Sequence, residues 1–452
     1  MRLALLALPA AMLLAAACSS NDPADPTPAP TEPAASATAE VEPTSAPIVR
    51  EPTPLADPKN TTLQPTGDAN GPAEHDGARA LEHATVLSSE PRVAGTPAEL
   101  RAAQYIAGQF RSYGYLTEIR EFDFDGDRFR AGEVSVGGVT IESLNMAGSP
   151  GGEVEAPSAY IGLADPAGIA GQDLTGKIAV ADRGELNFSA KYENARDAGA
   201  IGMVIVNNQA GLFSGNLTLR ADFPVVSVSM EEGQAILRAA KAGETIAVKA
   251  PPTVGLTRAM NVVARASEST QCTIVVGGHF DSVPAAPGAN DNASGTSNVL
   301  ELARATAVDG IDEGVCFVAF GAEESGLYGS KAFIAELAED AFVPSYMINL
   351  DVTGIGDGVE VIGDSALADR AYALAQSAGI PVAPSVLPAN SGSDHQSFAE
   401  AGVEVVFFSS GNFSTIHSPE DVIGDLQVAV LDLIGDAAYL TLTDLLSRVA
   451  AE

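Results

Sequence analysis

Residues 275–291 read VVGGHFDSVPAAPGAND. The run Val275-Val276-Gly277-Gly278 is short, apolar and β-rich, so it reads as a buried strand. It delivers His279 and Asp281 at its carboxyl end, and Asp291 follows in a Gly/Pro/Ala-rich loop. Open α/β sheets build their sites at the carboxyl ends of strands. The chain has only five histidines; His279, His395 and His417 all fall in its last part, each beside carboxylates.

Working outward, residues 253–452 alternate between strand and helix patterns. Strands are expected at 261–266, 273–279, 315–321, 346–351, 359–362 and 403–408. Helices are expected at 292–307, 329–338, 366–378, 395–401 and 423–448. The alternation predicts an α/β domain: a mixed sheet with a parallel centre and helices on both faces. Residues 74–139 also read as folded. HDGARALEHATVLSSEP is helix-like, with Pro91 beyond its end. Thr96-Pro97 opens a second helix, with Thr as N-cap and Pro in the first turn. LTEIREFDF alternates as a strand. His75 and His83, in this region, read as surface or packing residues.

Residues 140–252 change character. Short strands surround one Ala-rich helix in SAYIGLA, GKIAVADRG, NFSAKYENARDAGAIGMVIVNN and FPVVSVSMEEGQAIL. The arrangement resembles the protease-associated domain, a small β-rich α/β module inserted in exopeptidases and other hydrolases. In that setting Asp182, Arg183 and Lys191 read as turn and surface residues. The inserted module then interrupts one peptidase domain, whose parts are 74–139 and 253–452.

The amino terminus has another role. Residues 1–17 give a short apolar run with Pro9, which disfavours a permanent spanning helix and fits an export signal. Its end at Cys18 resembles a bacterial lipoprotein signal, in which Cys18 is acylated; ordinary cleavage and secretion is the alternative. Residues 18–73 hold 12 of the 28 prolines and too little apolar content to repay ordering, so they read as a disordered tether. The formal net charge of −35 excludes nucleic acid as a partner and leaves the Cys18 lipid as the one expected membrane contact. Cys272 and Cys316 open two predicted strands, where a disulfide and a pair of buried thiols remain alternatives.

At strand ends and loops of the last domain lie His279, Asp281, Asp291, Glu323-Glu324, Asp351 and His417. Two histidines and several carboxylates suit Zn²⁺. An aspartate shared by two ions would hold them about 3.5–4 Å apart, as in two-metal hydrolysis. Glu323-Glu324 follows the apolar run Val315–Ala322, where two charges are costly without compensation. Asp351 likewise ends the apolar strand YMINLD. Ser393-Asp394-His395 cannot form a nucleophilic triad, because consecutive residues cannot point at one another in relay.

The blocks GGHFDS, GANDNASGTS, FGAEESGLYGS, NLDVTG, SDHQSF and IHSPED resemble, in order, those of the dinuclear-zinc aminopeptidases, which have the phosphorylase/hydrolase-like zinc exopeptidase fold. The resemblance implies two Zn²⁺ per chain, peptide substrates and a metalloaminopeptidase, which the export signal at 1–17 would place outside the cytoplasm. It implies that His279 and Asp351 bind one zinc, Glu324 and His417 the other, and Asp291 both. Glu323 then looks like the general base, and Asp281 like the group that fixes the His279 tautomer. His395 is not among the implied ligands. Some relatives have Tyr immediately before the last histidine as an oxyanion donor; here Ile416 stands there. A carboxypeptidase or dipeptidase on the same scaffold is the first alternative, and a non-catalytic binding protein the second.

Overall fold

A computed structural model describes residues 74–451, except 127, 128, 185, 209, 210, 218, 253, 254, 312 and 388–390. The expected signal at 1–17, Cys18 and the tether at 18–73 lie outside the described residues. No helix among the described residues is long and apolar enough to cross a membrane.

In chain order the strands are β1 (Leu116–Asp125), β2 (Ala131–Val136), β3 (Val139–Asn145), β4 (Gly152–Tyr160), β5 (Ile178–Asp182), β6 (Gly202–Val206), β7 (Val225–Val228) and β8 (Thr245–Ala250). They continue as β9 (Leu256–Arg265), β10 (Ile274–His279), β11 (Val315–Phe320), β12 (Tyr346–Leu350), β13 (Val359–Ile362), β14 (Val382–Ser385) and β15 (Glu404–Ser409). The main sheet runs β1-β9-β11-β10-β12-β15-β13-β14. Its centre, β11-β10-β12-β15, is parallel. β1, β9 and the β13–β15 pair add antiparallel edges.

Every residue of β10 and β11 is buried, which explains why both read as continuous apolar runs without alternation. Helices Pro97–Ser112, Gly295–Asp309 and Val428–Val449 pack one face through Phe110, Val299 and Leu442. Helices Tyr328–Glu339 and His395–Glu400 cover the other through Phe333 and Phe398. All four parallel strands point their carboxyl ends the same way, so His279 and the residues that follow β11, β12 and β15 emerge at one edge.

The strands β2-β3-β7-β6-β5-β4-β8 close into a separate barrel with its own apolar cluster. It starts at Ala131, ahead of the expected boundary at 140, because β2 pairs with both β3 and β8. Lys191 corrects another expectation. It is fully buried, and its ammonium donates to the Leu163 carbonyl at 2.6 Å. β14 was not expected, since Pro381 and Pro384 punctuate its sequence; proline is tolerated there because β14 is the sheet edge.

His83 and His75 are packing residues. His83 sits between the hydroxyls of Tyr105 (2.8 Å) and Tyr113 (3.1 Å). His75 bonds Asn298 at 3.1 Å. Burial pushes His83 down to about 3 and His75 down to about 4. Both folded values lie below the unfolded one, so the unfolded chain takes up the proton first. The stability these residues supply is intact above about pH 6.5 and falls by about 1.4 kcal/mol per pH unit per histidine on acidification, until the folded value is reached. A denaturation series from pH 7.5 to 5 should show this loss, and His83→Gln should remove about half of it, leaving the part due to His75; an unchanged slope would contradict the assignment.

Cys272 and Cys316 form a disulfide, one of the two alternatives left by the sequence. It ties the approach to β10 to β11 at the end away from His279. The sequence separation of 44 gives a chain-entropy contribution of about 4 kcal/mol at most. The double variant Cys272→Ala/Cys316→Ala should unfold at lower denaturant, by about 2–4 kcal/mol. Equal midpoints for variant and wild type would show that the bond adds nothing.

Candidate metal centre

Each candidate side chain is placed by a different element. His279 is the last residue of β10, Glu323 and Glu324 follow β11, and Asp351 follows β12. His417 lies in the loop after β15. Asp291 sits in a π-type turn, Ala289–Ser294, where Asp291 (φ −119°, ψ 92°) and Asn292 are not helical. The regular helix therefore starts at Gly295 rather than at the expected residue 292. A Cβ at Gly278 or at Gly295 would collide with the Leu350 carbonyl oxygen, so glycine lets strand and helix close on the end of β12.

These residues form two groups that share Asp291. In the first, His279 Nε2 lies 3.2 Å from Asp291 Oδ1 and 3.3 Å from Asp351 Oδ1. In the second, His417 Nε2 lies 3.1 Å from Asp291 Oδ2 and 3.1 Å from Glu324 Oε2. Within each group one potential ligand atom per residue falls within 4.8 Å of the others. Asp291 thus turns one oxygen to each histidine.

A single imidazole N–H cannot point along both directions at once, so two carboxylates around one Nε2 are poorly explained by hydrogen bonding alone. Ligands about 2.0–2.1 Å from a tetrahedral zinc stand about 3.3 Å apart, close to the distances above. Asp351 Oδ1 and Glu324 Oε1 are buried without hydrogen-bond partners. Buried oxygens of this kind call for a cation. The donor set and these oxygens fit divalent zinc.

The electrostatics agree. Burial disfavours the His279 imidazolium, but Asp351 and Glu323 outweigh it and hold its pKa well above the usual value. His417 is raised likewise, with burial opposed by Glu324 and Asp291. Burial pushes up both Glu323 and Glu324, and neighbouring carboxylates add to it. Asp394, also buried, is raised to about 7. Without a cation the crowded carboxylates resist ionisation, and a cation bound among them would favour their charged forms.

A surrounding layer fixes the groups. Asp281 is fully buried, and its two oxygens accept from the backbone N–H of Glu323 (3.0 Å) and Glu324 (3.2 Å). Its Oδ1 also lies 3.5 Å from His279 Nδ1, whose nearer contact is the Asp281 carbonyl at 3.2 Å. Asp421 receives the N–H groups of Asn290 (2.7 Å) and Asp291 (3.1 Å). Asn349 donates to Ser393 at 2.8 Å, and Ser393 to Asp351 Oδ2 at 2.7 Å. Ala322, Val352 and His417 adopt left-handed φ of 54°, 52° and 60°. Such strain costs roughly 1–3 kcal/mol per residue and persists where surroundings impose it, commonly at functional sites.

Sequence reasoning named every member of both groups, and the structure brings them together. His395 stands apart, its ring tilted against that of Phe407 at 5.0 Å between ring centres. Sequence reasoning missed Asp421, the link from Ser393 to Asp351, and the hold of Asp281 on the Glu323-Glu324 backbone. Asp421 lies within the quoted block IHSPED, which was the one available signal. His417 keeps 48 % side-chain exposure, so the centre is open on its side.

Residues 261–442 match the model of peptidase family M28, and residues 146–236 that of the PA domain. Aminopeptidase YwaD of Bacillus subtilis is 32 % identical over 373 residues, covering 76 % of this chain and 79 % of that protein. The probable lipoprotein aminopeptidase LpqL of Mycobacterium tuberculosis is 30 % identical over 261 residues, covering 55 % of this chain and 52 % of its own. The solved structure of BSAP, a zinc aminopeptidase from Bacillus subtilis, superposes with a TM-score of 0.70 at 28 % identity, covering 83 % of this chain and 96 % of that one. The chain belongs to peptidase family M28 and carries an inserted PA domain.

Proposed function

We propose that this peptidase is an exported two-zinc aminopeptidase that removes N-terminal residues from peptides. The observation that carries the reading is the sharing of Asp291: one oxygen faces His279 and Asp351, the other faces Glu324 and His417. Similarity to proteins named aminopeptidases and to a zinc aminopeptidase supports it. His279, Asp291 and Asp351 would hold one zinc, and Asp291, Glu324 and His417 the other. Bound zinc supplies Lewis-acid polarisation of a scissile carbonyl and lowers the pKa of water from about 15.7 towards 7.

The chain's own residues do the rest. Glu323 is adjacent to the ligand Glu324 and less buried than it, so its carboxylate can face the reacting water. It accepts the proton as water oxygen attacks the carbonyl carbon. It then returns that proton to the departing amine nitrogen as the C–N bond breaks. Asp281 holds the Glu323 and Glu324 backbone and lies against His279. Ile416 has no hydrogen-bond donor on its side chain, so it cannot serve as the oxyanion donor. Arg92, the arginine beneath the site, commits its guanidinium to backbone carbonyls and offers no fork to a substrate carboxylate. That favours amine-end over carboxyl-end specificity. The disulfide and the likeness to LpqL support an extracytoplasmic place, with a lipid anchor at Cys18.

Glu323→Gln should keep two zinc per chain and lose turnover by about 10²–10⁴-fold. Wild-type turnover in that variant would remove Glu323 from the role. Among peptides, one blocked at its N-terminus should resist cleavage while its C-terminally blocked counterpart is cut; the reverse result would identify a carboxypeptidase.

A further inference from the structure

We infer that Arg92 is a positioning residue for the metal centre: its guanidinium clamps both ends of the loop that runs from His279 to Asp291, and zinc affinity depends on that clamp. The inference rests on the zinc reading of the site proposed above.

Arg92 is only 1 % exposed and comes from the segment between the first two helices, far in sequence from the site. Its Nε donates to the Phe280 carbonyl at 2.6 Å, immediately after His279. Its Nη1 donates to Leu87 and to Pro287, each at 2.7 Å, and its Nη2 to Gly288 at 2.8 Å. The Arg92 backbone adds a reciprocal pair with Ser282, N–H to Oγ at 2.9 Å and carbonyl from N–H at 3.3 Å. One rigid, planar group therefore grips the residue beside one ligand and the glycine three positions before the shared one.

Phe280, Val283, Ala286 and Ala289 bury the loop's apolar side chains, and Arg92 adds direct bonds to the backbone carbonyls of Phe280, Pro287 and Gly288. Gly288, at φ +66°, lets the loop close on itself and on the guanidinium: a Cβ there would stand 2.6 Å from the Asp291 carbonyl oxygen, 2.6 Å from Ser282 Cβ and 3.0 Å from Arg92 Nη2. A buried cation also needs compensation. Here the carbonyl dipoles bind it directly, and the negative field of Asp281, Asp421, Asp291 and Glu324 holds it from further away. Lysine cannot reproduce this geometry, because its ammonium is a point donor and not a fork.

The test compares full-length wild type, Arg92→Lys, Arg92→Met and Arg304→Met. Arg304 is a second fully buried arginine, whose guanidinium bonds Glu301 and the Glu74 carbonyl, and it controls for general destabilisation. Zinc affinity is measured by chelator competition, with zinc per chain counted at each step and thermal midpoints recorded in parallel. Both Arg92 variants should bind zinc about 10–100-fold more weakly, as expected when ligand-orienting groups are removed. Arg304→Met should lower the midpoint and keep wild-type zinc affinity. If Arg92→Met does not fold, Arg92→Lys decides alone. Wild-type affinity in the Arg92 variants, or an equal loss in Arg304→Met, overturns the clamp. A wild-type chain that binds no zinc sinks the zinc reading, and the clamp with it; two zincs bound equally by wild type and the Arg92 variants sinks the clamp alone.

Discussion

One carboxylate serving two directions is the constraint on which this molecule depends. Asp291 presents Oδ1 to His279 and Oδ2 to His417, at 3.2 and 3.1 Å. Those histidines arrive from different elements, one from the end of β10 and one from the loop after β15. If Asp291 were displaced, both groups would open together. The surrounding architecture is arranged against that displacement. The non-helical turn keeps the aspartate out of the helix, Asp421 holds its backbone N–H, and Asn292 fixes the turn to the end of β12 through the Leu350 carbonyl at 2.9 Å.

The same logic explains why so much negative charge is buried at one edge of the sheet. Asp281 and Asp421 accept backbone N–H groups, while Glu324 and Asp351 keep oxygens without partners. The first kind of carboxylate is satisfied by the protein; the second is not. A buried unpartnered carboxylate oxygen is expensive, and a divalent cation is the compensation that suits two such oxygens beside two imidazoles. Positive φ at Ala322, Val352 and His417 belongs to the same arrangement, since the chain turns sharply where each strand or loop delivers its group.

Much of this was legible in the sequence because strands buried on both faces are written as unbroken apolar runs. Val275 to Gly278, Val315 to Ala322 and Tyr346 to Leu350 are followed at once by His279, Glu323 and Asp351, and a titratable residue after such a run marks the edge of the sheet. Helices such as Pro97–Ser112 were legible from a different signal, apolar residues at helical spacing. Groups that act on backbone were not. Asp421, Arg92 and the second task of Asp281 depend on which N–H or carbonyl comes close in three dimensions, and no local pattern records that. Lys191 was misread as a surface residue because its stem packs inward while its ammonium finds one carbonyl. β14 is masked by its prolines, and the first barrel strand, β2, precedes the change in composition at 140.

The central claim is tested most directly by anomalous diffraction from the zinc-loaded protein, collected on both sides of the zinc absorption edge. The account predicts two zinc peaks about 3.5–4 Å apart with Asp291 between them, one peak beside His279 and Asp351 and the other beside Glu324 and His417. A single peak, or two peaks with Asp291 touching only one, would contradict it.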